Sequence, residues 1–254
     1  MNKILAIASN TFRETIRDKL LYGILFFSIL LLFVGLLLGE LSLGNNVKVT
    51  KDVGLSAISL FGILLAIFTG VSLVHKELDK RTIYTILSKP IHRHQFILGK
   101  YLGMLMTAFV QIVLLTLVFT FLLLYQQQYL DYRIYNAVLL YWFEIVLITS
   151  VALFFSSFTT PFFSGLFTFC FFLIGRLMPE VEQISTTVEN TIIAGVLKGA
   201  TLLPNLQHLN IGPRLVHHEA LPPGYITSSI LYATCYTGLF LFLAIALFSK
   251  RDLM

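Results

Sequence analysis

The side chains that could do chemistry are few, and they lie far apart in the chain. Glu144 is the one acid placed inside a long apolar stretch. A carboxylate at that depth in a membrane costs a few kcal/mol to insert, so it must face protein or water. That leaves two readings: a polar contact for a substrate or gate, or a protonated or hydrogen-bonded structural group. Gln111, in another apolar stretch, is a candidate partner for it. His208, His217, His218 and Glu219 gather in one segment. A metal would need three or four ligands converging at about 2 Å, and loop histidines at headgroup level are the commoner case, so no metal is assigned. His92 and His94 flank Arg93 and read as facing an interface or a partner. A phosphate-cradling GxxxxGK[ST] is absent, because Gly99-Lys100 is followed by Tyr101. HExxH, GxSxG and paired cysteines are absent too. No catalytic residue is assigned, and the expectation is a chain that is not an enzyme and has no ATPase site of its own.

The elements that must position these groups are apolar helices. The chain is 57% hydrophobic and 12% charged, with a mean hydropathy of +0.84. A soluble domain is roughly half apolar and about a quarter charged. Several runs of about 18 or more nearly uncharged residues indicate a polytopic helical membrane protein. A β-barrel would show alternating segments of about ten residues. The net charge of +5 sits between apolar runs, which points to membrane orientation and away from nucleic acid. Cys170 and Cys235 both fall inside apolar runs, which makes a structural disulfide improbable.

The fold class expected is all-α, a single membrane domain over residues 1–254 with six transmembrane helices. The spans are Leu20 to Gly39, Leu55 to Val74, Phe96 to Tyr125, Ala137 to Phe155, Phe162 to Leu177 and Tyr225 to Phe248. The fifth is short and follows a tight turn at Pro161, so a broken hairpin that fails to cross is a second reading there. Residues 1–19 are no secretory signal, since Asn10, Arg13, Glu14, Arg17 and Asp18 interrupt any apolar core. Ile4, Ala8, Phe12 and Ile16 recur every fourth residue, as in an amphipathic helix lying in the membrane interface; the alternative is a polar extension of the first span. The segment 178–224 carries TTVENTIIAGVLKGATLL, with Thr186 or Thr187 as a candidate N-cap, and reads as short helices at the outer leaflet. Gly35 with Gly39, and Gly99 with Gly103, permit close helix approach within or between subunits.

Twelve basic residues fall on one side of this layout and six on the other. The excess of Lys and Arg places both termini in the cytoplasm. Tyr125, Tyr129, Tyr132, Tyr135, Tyr141 and Trp142 cluster around the opposite boundary, as an interfacial belt requires.

A third of the basic residues lie in one stretch, HKELDKRTIYTILSKPIHRHQFILGKYLG. It resembles the cytoplasmic loop of type-2 ABC exporter permeases, in the branch that includes the permeases of nitrous-oxide-reductase maturation and gliding motility. The resemblance rests on Glu77, Asp79, Lys80 and Arg81, then Thr82, the apolar residues Ile83 to Leu87, Ser88-Lys89-Pro90, and Gly99-Lys100. FRETIRDKLLYGILFF near the N-terminus is similar to that branch as well. Arg81 stands where many members have glycine, and His75 where an acid is frequent. The resemblance implies a permease subunit in a bacterial inner membrane that pairs with a second permease subunit, identical or sibling. It implies a cytoplasmic ATPase dimer that holds the ATP and Mg. Residues 75–95 would form the coupling loop, with Glu77, Asp79, Lys80, Arg81 and Thr82 orienting the ATPase contact and Ile83, Tyr84, Ile86 and Leu87 anchoring it. Export of a substrate is the leading expectation. The alternative is a membrane scaffold that passes ATP-driven motion to an extracytoplasmic protein, with nothing crossing. Membrane lipids are the remaining expected partner.

Overall fold

A computed structural model describes residues 3–42, 46–79, 92–127, 132–187, 203–216, 219 and 221–250. Among these the structure is helical, with no strand. Helix α1 spans Lys3–Ile16, α2 Lys19–Leu41, α3 Asn46–Asp79, α4 Arg93–Gln127 and α5 Arg133–Ser156. They are followed by α6 at Pro161–Arg176, α7 at Met178–Thr187, a 3-10 turn at Leu206–Leu209, α8 at Gly212–Val216 and α9 at Tyr225–Lys250.

Local chemistry sets several of the boundaries. The Asp18 side chain accepts a bond from the Leu20 amide at 3.2 Å and caps α2. Pro161 opens α6, where its missing N–H costs nothing. Pro222 and Pro223 stop the chain, and Gly224 turns it into α9 with φ +82, a conformation that side-chain-bearing residues avoid.

Among the described residues five helices are long and apolar enough to cross a membrane: α2, α3, α4, α5 and α9. Helix α6 is apolar but has only 16 residues, short of the roughly 20 that a full crossing uses. Five of the six predicted spans sit inside these five helices. The expected fifth, Phe162 to Leu177, falls on the short α6 and runs one residue past it. Among the five the largest difference is at α3. It begins at Asn46 and not at Leu55, so Lys48, Lys51 and Asp52 lie on a helix that the expected layout had as loop. The reason is packing: Thr50 and Lys51 are buried, and Val53 fills the space opposite Gly35 of α2.

The bundle is layered around α3 and α5. In their most apolar windows 67% and 72% of residues are buried, against 17% for α2 and 22% for α9. Helix α3 can run at the centre because it is glycine-notched at intervals of eight: Gly54 faces the Phe119 ring of α4, Gly62 faces Ile145 of α5, and Gly70 faces Ala152 of α5. A Cβ at any of the three would collide with its neighbour. Leu55, Ile58, Ile63, Leu115, Phe119, Ile145 and Ile148 form the surrounding core. The outward faces of α2 and α9 carry Phe26, Phe33, Leu37, Leu231, Leu239 and Phe242, as lipid-facing helices do.

The N-terminal helix packs along α4. Its seam is Ala8, Thr11 and Thr15, while Phe12 and Ile16 are half-buried and Lys3, Arg13 and Arg17 stay exposed. A Cβ at Gly99 would lie 2.7 Å from Cβ of Ile7, and one at Gly103 would lie 2.7 Å from the Ala8 carbonyl. Gly35, Gly39, Gly99 and Gly103 all make their close approaches inside this one chain.

Candidate functional site

The most polar point of the bundle interior lies between α3, α5 and α6. Glu144 sits in α5 three turns from its start and is fully buried. Arg176, the last residue of α6, reaches it with a bidentate fork: Nε donates to Oε1 at 2.9 Å and Nη2 donates to Oε2 at 3.0 Å. Nη2 also donates to Oγ of Ser59 in α3 at 2.6 Å. Arg176 packs over the Phe172 ring, 5.5 Å from its centroid. One guanidinium thus ties three helices, with the cation neutralised where water is scarce.

This corrects two expectations. Gln111 does not pair with Glu144: its Nε2 donates to the Phe61 carbonyl at 3.4 Å, and among the described residues its Oε1 has no hydrogen-bond partner. Arg176, counted by sequence among the outer charges, is only 18% exposed in its side chain and is spent on Glu144. The signal that could have found it is the acid itself, because a buried carboxylate calls for a cation and Arg176 ends the next apolar helix. Ser59 carries no such signal.

The fork is roofed by the chain from Leu203 to Val216. Leu206, Leu209 and Ile211 are completely buried there. Gly175, next to Arg176, lies against Leu206 and the Pro204 carbonyl, 3.0 Å from where its Cβ would be. Tyr141, one turn before Glu144, donates to Oδ1 of Asn210 at 3.2 Å, and Gly212 sits directly against its hydroxyl. Asn205 holds the 3-10 turn by accepting from the Gln207 amide at 3.0 Å. Thr186 and Thr187 close α7 and do not begin a helix, and residues 188–202 lie outside the described residues.

At the opposite end of the bundle, Lys100 is buried and lies 3.9 Å from Glu14 of α1 and 5.8 Å from the centroid of the Phe96 ring. Arg93 donates to the carbonyls of Phe248 and Ser249 at 3.2 and 2.7 Å, joining α4 to the end of α9. His92 and His94 stack on each other with ring centroids 5.3 Å apart. Of the expected ATPase-contact residues, Glu77 and Asp79 fall in the last turns of α3, whereas Lys80, Arg81, Thr82, Ile83, Tyr84, Ile86 and Leu87 lie outside the described residues. Among the described residues no group of three His, Cys, Asp or Glu side chains could hold a metal. His208 packs against Tyr232 and Tyr225, and His217 and His218 lie outside the described residues.

The family model described as ABC-2 family transporter protein matches residues 5–253 of the chain. The chain belongs to the ABC-2 transporter family. This ABC-2 permease is therefore a multi-pass membrane protein, the membrane subunit of an ABC transporter. Membership implies a partner ATPase and a second permease subunit. No curated protein matches the permease sequence.

Proposed function

We propose that this permease works as an exporter subunit in a bacterial inner membrane, driven by a separate ATPase that binds ATP and Mg. In this reading α6 is the sixth crossing, both termini are cytoplasmic, and α1 lies at the cytoplasmic boundary against α4. The segment between α3 and α4 holds the coupling helix, with Glu77, Asp79, Lys80, Arg81 and Thr82 orienting the ATPase and Ile83, Tyr84, Ile86 and Leu87 inserted in its groove.

One observation carries the reading. Helices α3 and α4 have 34 and 35 residues, about 50 Å each at 1.5 Å per residue, against a hydrocarbon core of about 30 Å. At the end where they approach each other in sequence, α3 runs on past its apolar part through His75 to Asp79, and α4 opens with Arg93, His94 and Gln95. These two helix ends, on the longest of the described helices, bracket residues 80–91 in the chain, and a handle there would act on both. Movement applied there reaches the glycine-notched centre directly, since α3 is the helix the core is packed around.

The test is Ile83→Asp together with Leu87→Asp. The paired change places two charges in the apolar anchor without touching a membrane span. Membrane insertion is expected to be unchanged while the ATPase no longer copurifies. Retention of the ATPase at the wild-type ratio would sink the assignment.

A further inference from the structure

The Arg176 fork holds its three helices unequally. Glu144 of α5 is gripped by two charge-assisted bonds at 2.9 and 3.0 Å, the strongest geometry available to these side chains. Ser59 of α3 is held only through its neutral hydroxyl, which accepts from Arg176 at 2.6 Å and also hydrogen-bonds the Glu144 carboxylate. A slide of about 1 Å takes that bond beyond hydrogen-bonding range, and helices shift by about 1–2 Å in ordinary conformational switches. A shift of α3 small enough to keep that bond therefore pulls on Arg176, and a larger one releases α3 while α5 and α6 stay joined.

The position of the fork gives that step a direction. Helix α3 runs from Ser59 to Asp79, beside the segment where the ATPase is proposed to act. Helix α6 ends at Arg176, and Gly175 carries the Leu206 side chain of the Leu203–Val216 roof. At its other end α6 is attached more loosely, through Ser164 Oγ to the Ala152 carbonyl at 3.4 Å and Gly165 against Val71. The ion pair is also a poor choice for stability alone: a buried pair is seldom better than apolar packing of the same volume, and its best-attested use is to fix registry or to switch.

We propose that Ser59 and Arg176 are positioning residues for transport, and that their hydrogen bond passes the displacement of α3 to α6 and to the Leu203–Val216 roof. This rests on the transport reading above. Glu144 holds Arg176 aimed at α3, and the charge itself moves nothing.

The experiment follows each helix separately in the permease–ATPase complex, in nanodiscs of phosphatidylethanolamine and phosphatidylglycerol. A bimane fluorophore is placed on the native Cys170, exposed on α6, with Cys235→Ser. In a second sample it is placed at Leu60→Cys, exposed on α3, with both native cysteines replaced by serine. Trapping with ATP and vanadate is expected to shift emission at both sites when the fork is intact. In Glu144→Met/Arg176→Met, an apolar pair expected to keep the fold, the α3 response remains and the α6 response falls about fivefold or more. Ser59→Ala, which leaves the ion pair in place, gives the same loss at α6, and Ser59→Thr, which keeps the hydroxyl, does not. An undiminished α6 response in Ser59→Ala overturns the proposal, even if the double variant fails to fold. Absence of any α3 response in the otherwise native complex overturns the transport reading beneath it, which is a distinguishable result.

Discussion

Two ionic contacts, one at the end of α6 and one near the start of α4, hold this bundle by different means. At one end the Arg176–Glu144 fork has two bonds near 3 Å and a fully buried carboxylate. At the other the Lys100–Glu14 contact is 3.9 Å long, and Glu14 keeps 34% of its side chain exposed. Arginine's planar fork fixes direction, while the lysine ammonium is a point charge that sets no angle. The second contact can be loose because backbone proximity holds α1 to α4 there, through Gly99, Gly103, Ala8 and Thr11. Polar geometry organises the first end and close packing organises the second.

That contrast can be broken most severely at the fork. Arg176→Met alone leaves Glu144 buried without its cation, a cost of about 3–5 kcal/mol. Thermal unfolding in detergent should show a larger loss for it than for any single substitution at the α1 end, and a small shift would mean that water reaches Glu144. A smaller effect is expected from Gly103→Leu, which pushes a side chain into the α1 seam, where even a Cβ would lie 2.7 Å from the Ala8 carbonyl. Overpacking of that kind costs about 1–3 kcal/mol, and limited proteolysis should find α1 released first. Least of all, Glu14→Gln should cost about 1 kcal/mol or less, because the seam survives without the charge. If Glu14→Gln released α1 as readily as Gly103→Leu, the assignment of that end to packing would be wrong.

The same two ends differ in how far sequence reaches. The middles of the five long helices were legible, because a hydrocarbon-length apolar run has few alternative uses. Their ends were not: Lys48, Lys51 and Asp52 look like loop to a hydropathy count, yet α3 starts before them because α2 buries that turn. Glu144 was legible as a residue in need of a partner, and its partner was not. Gln111 was chosen for lying at depth inside a span, whereas the carboxylate required a cation, and Arg176 supplies it from 32 residues away. Ser59 is one of many serines and is distinguished only by the register of α3 on α6. The eight-residue spacing of Gly54, Gly62 and Gly70 is plain in the sequence, and it marks the central helix more clearly than the GxxxG pairs do. The segment expected to contact the ATPase lies largely outside the described residues, and its assignment rests on the resemblance carried by Glu77 to Pro90.

The shortness of α6 has a consequence for the lipid around it. Sixteen residues make a rod of about 24 Å, some 6 Å less than a typical hydrocarbon core. Arg176 closes one end of that rod, and Leu206, Leu209 and Ile211, buried inside the protein, add no apolar surface there for lipid to meet. In the proposed reading, where α6 crosses, a rod this short is met by a locally thinner bilayer. Lipids of shorter chain length are then expected to suit this sector, and the ATPase rate in nanodiscs of graded chain length reads whether they do.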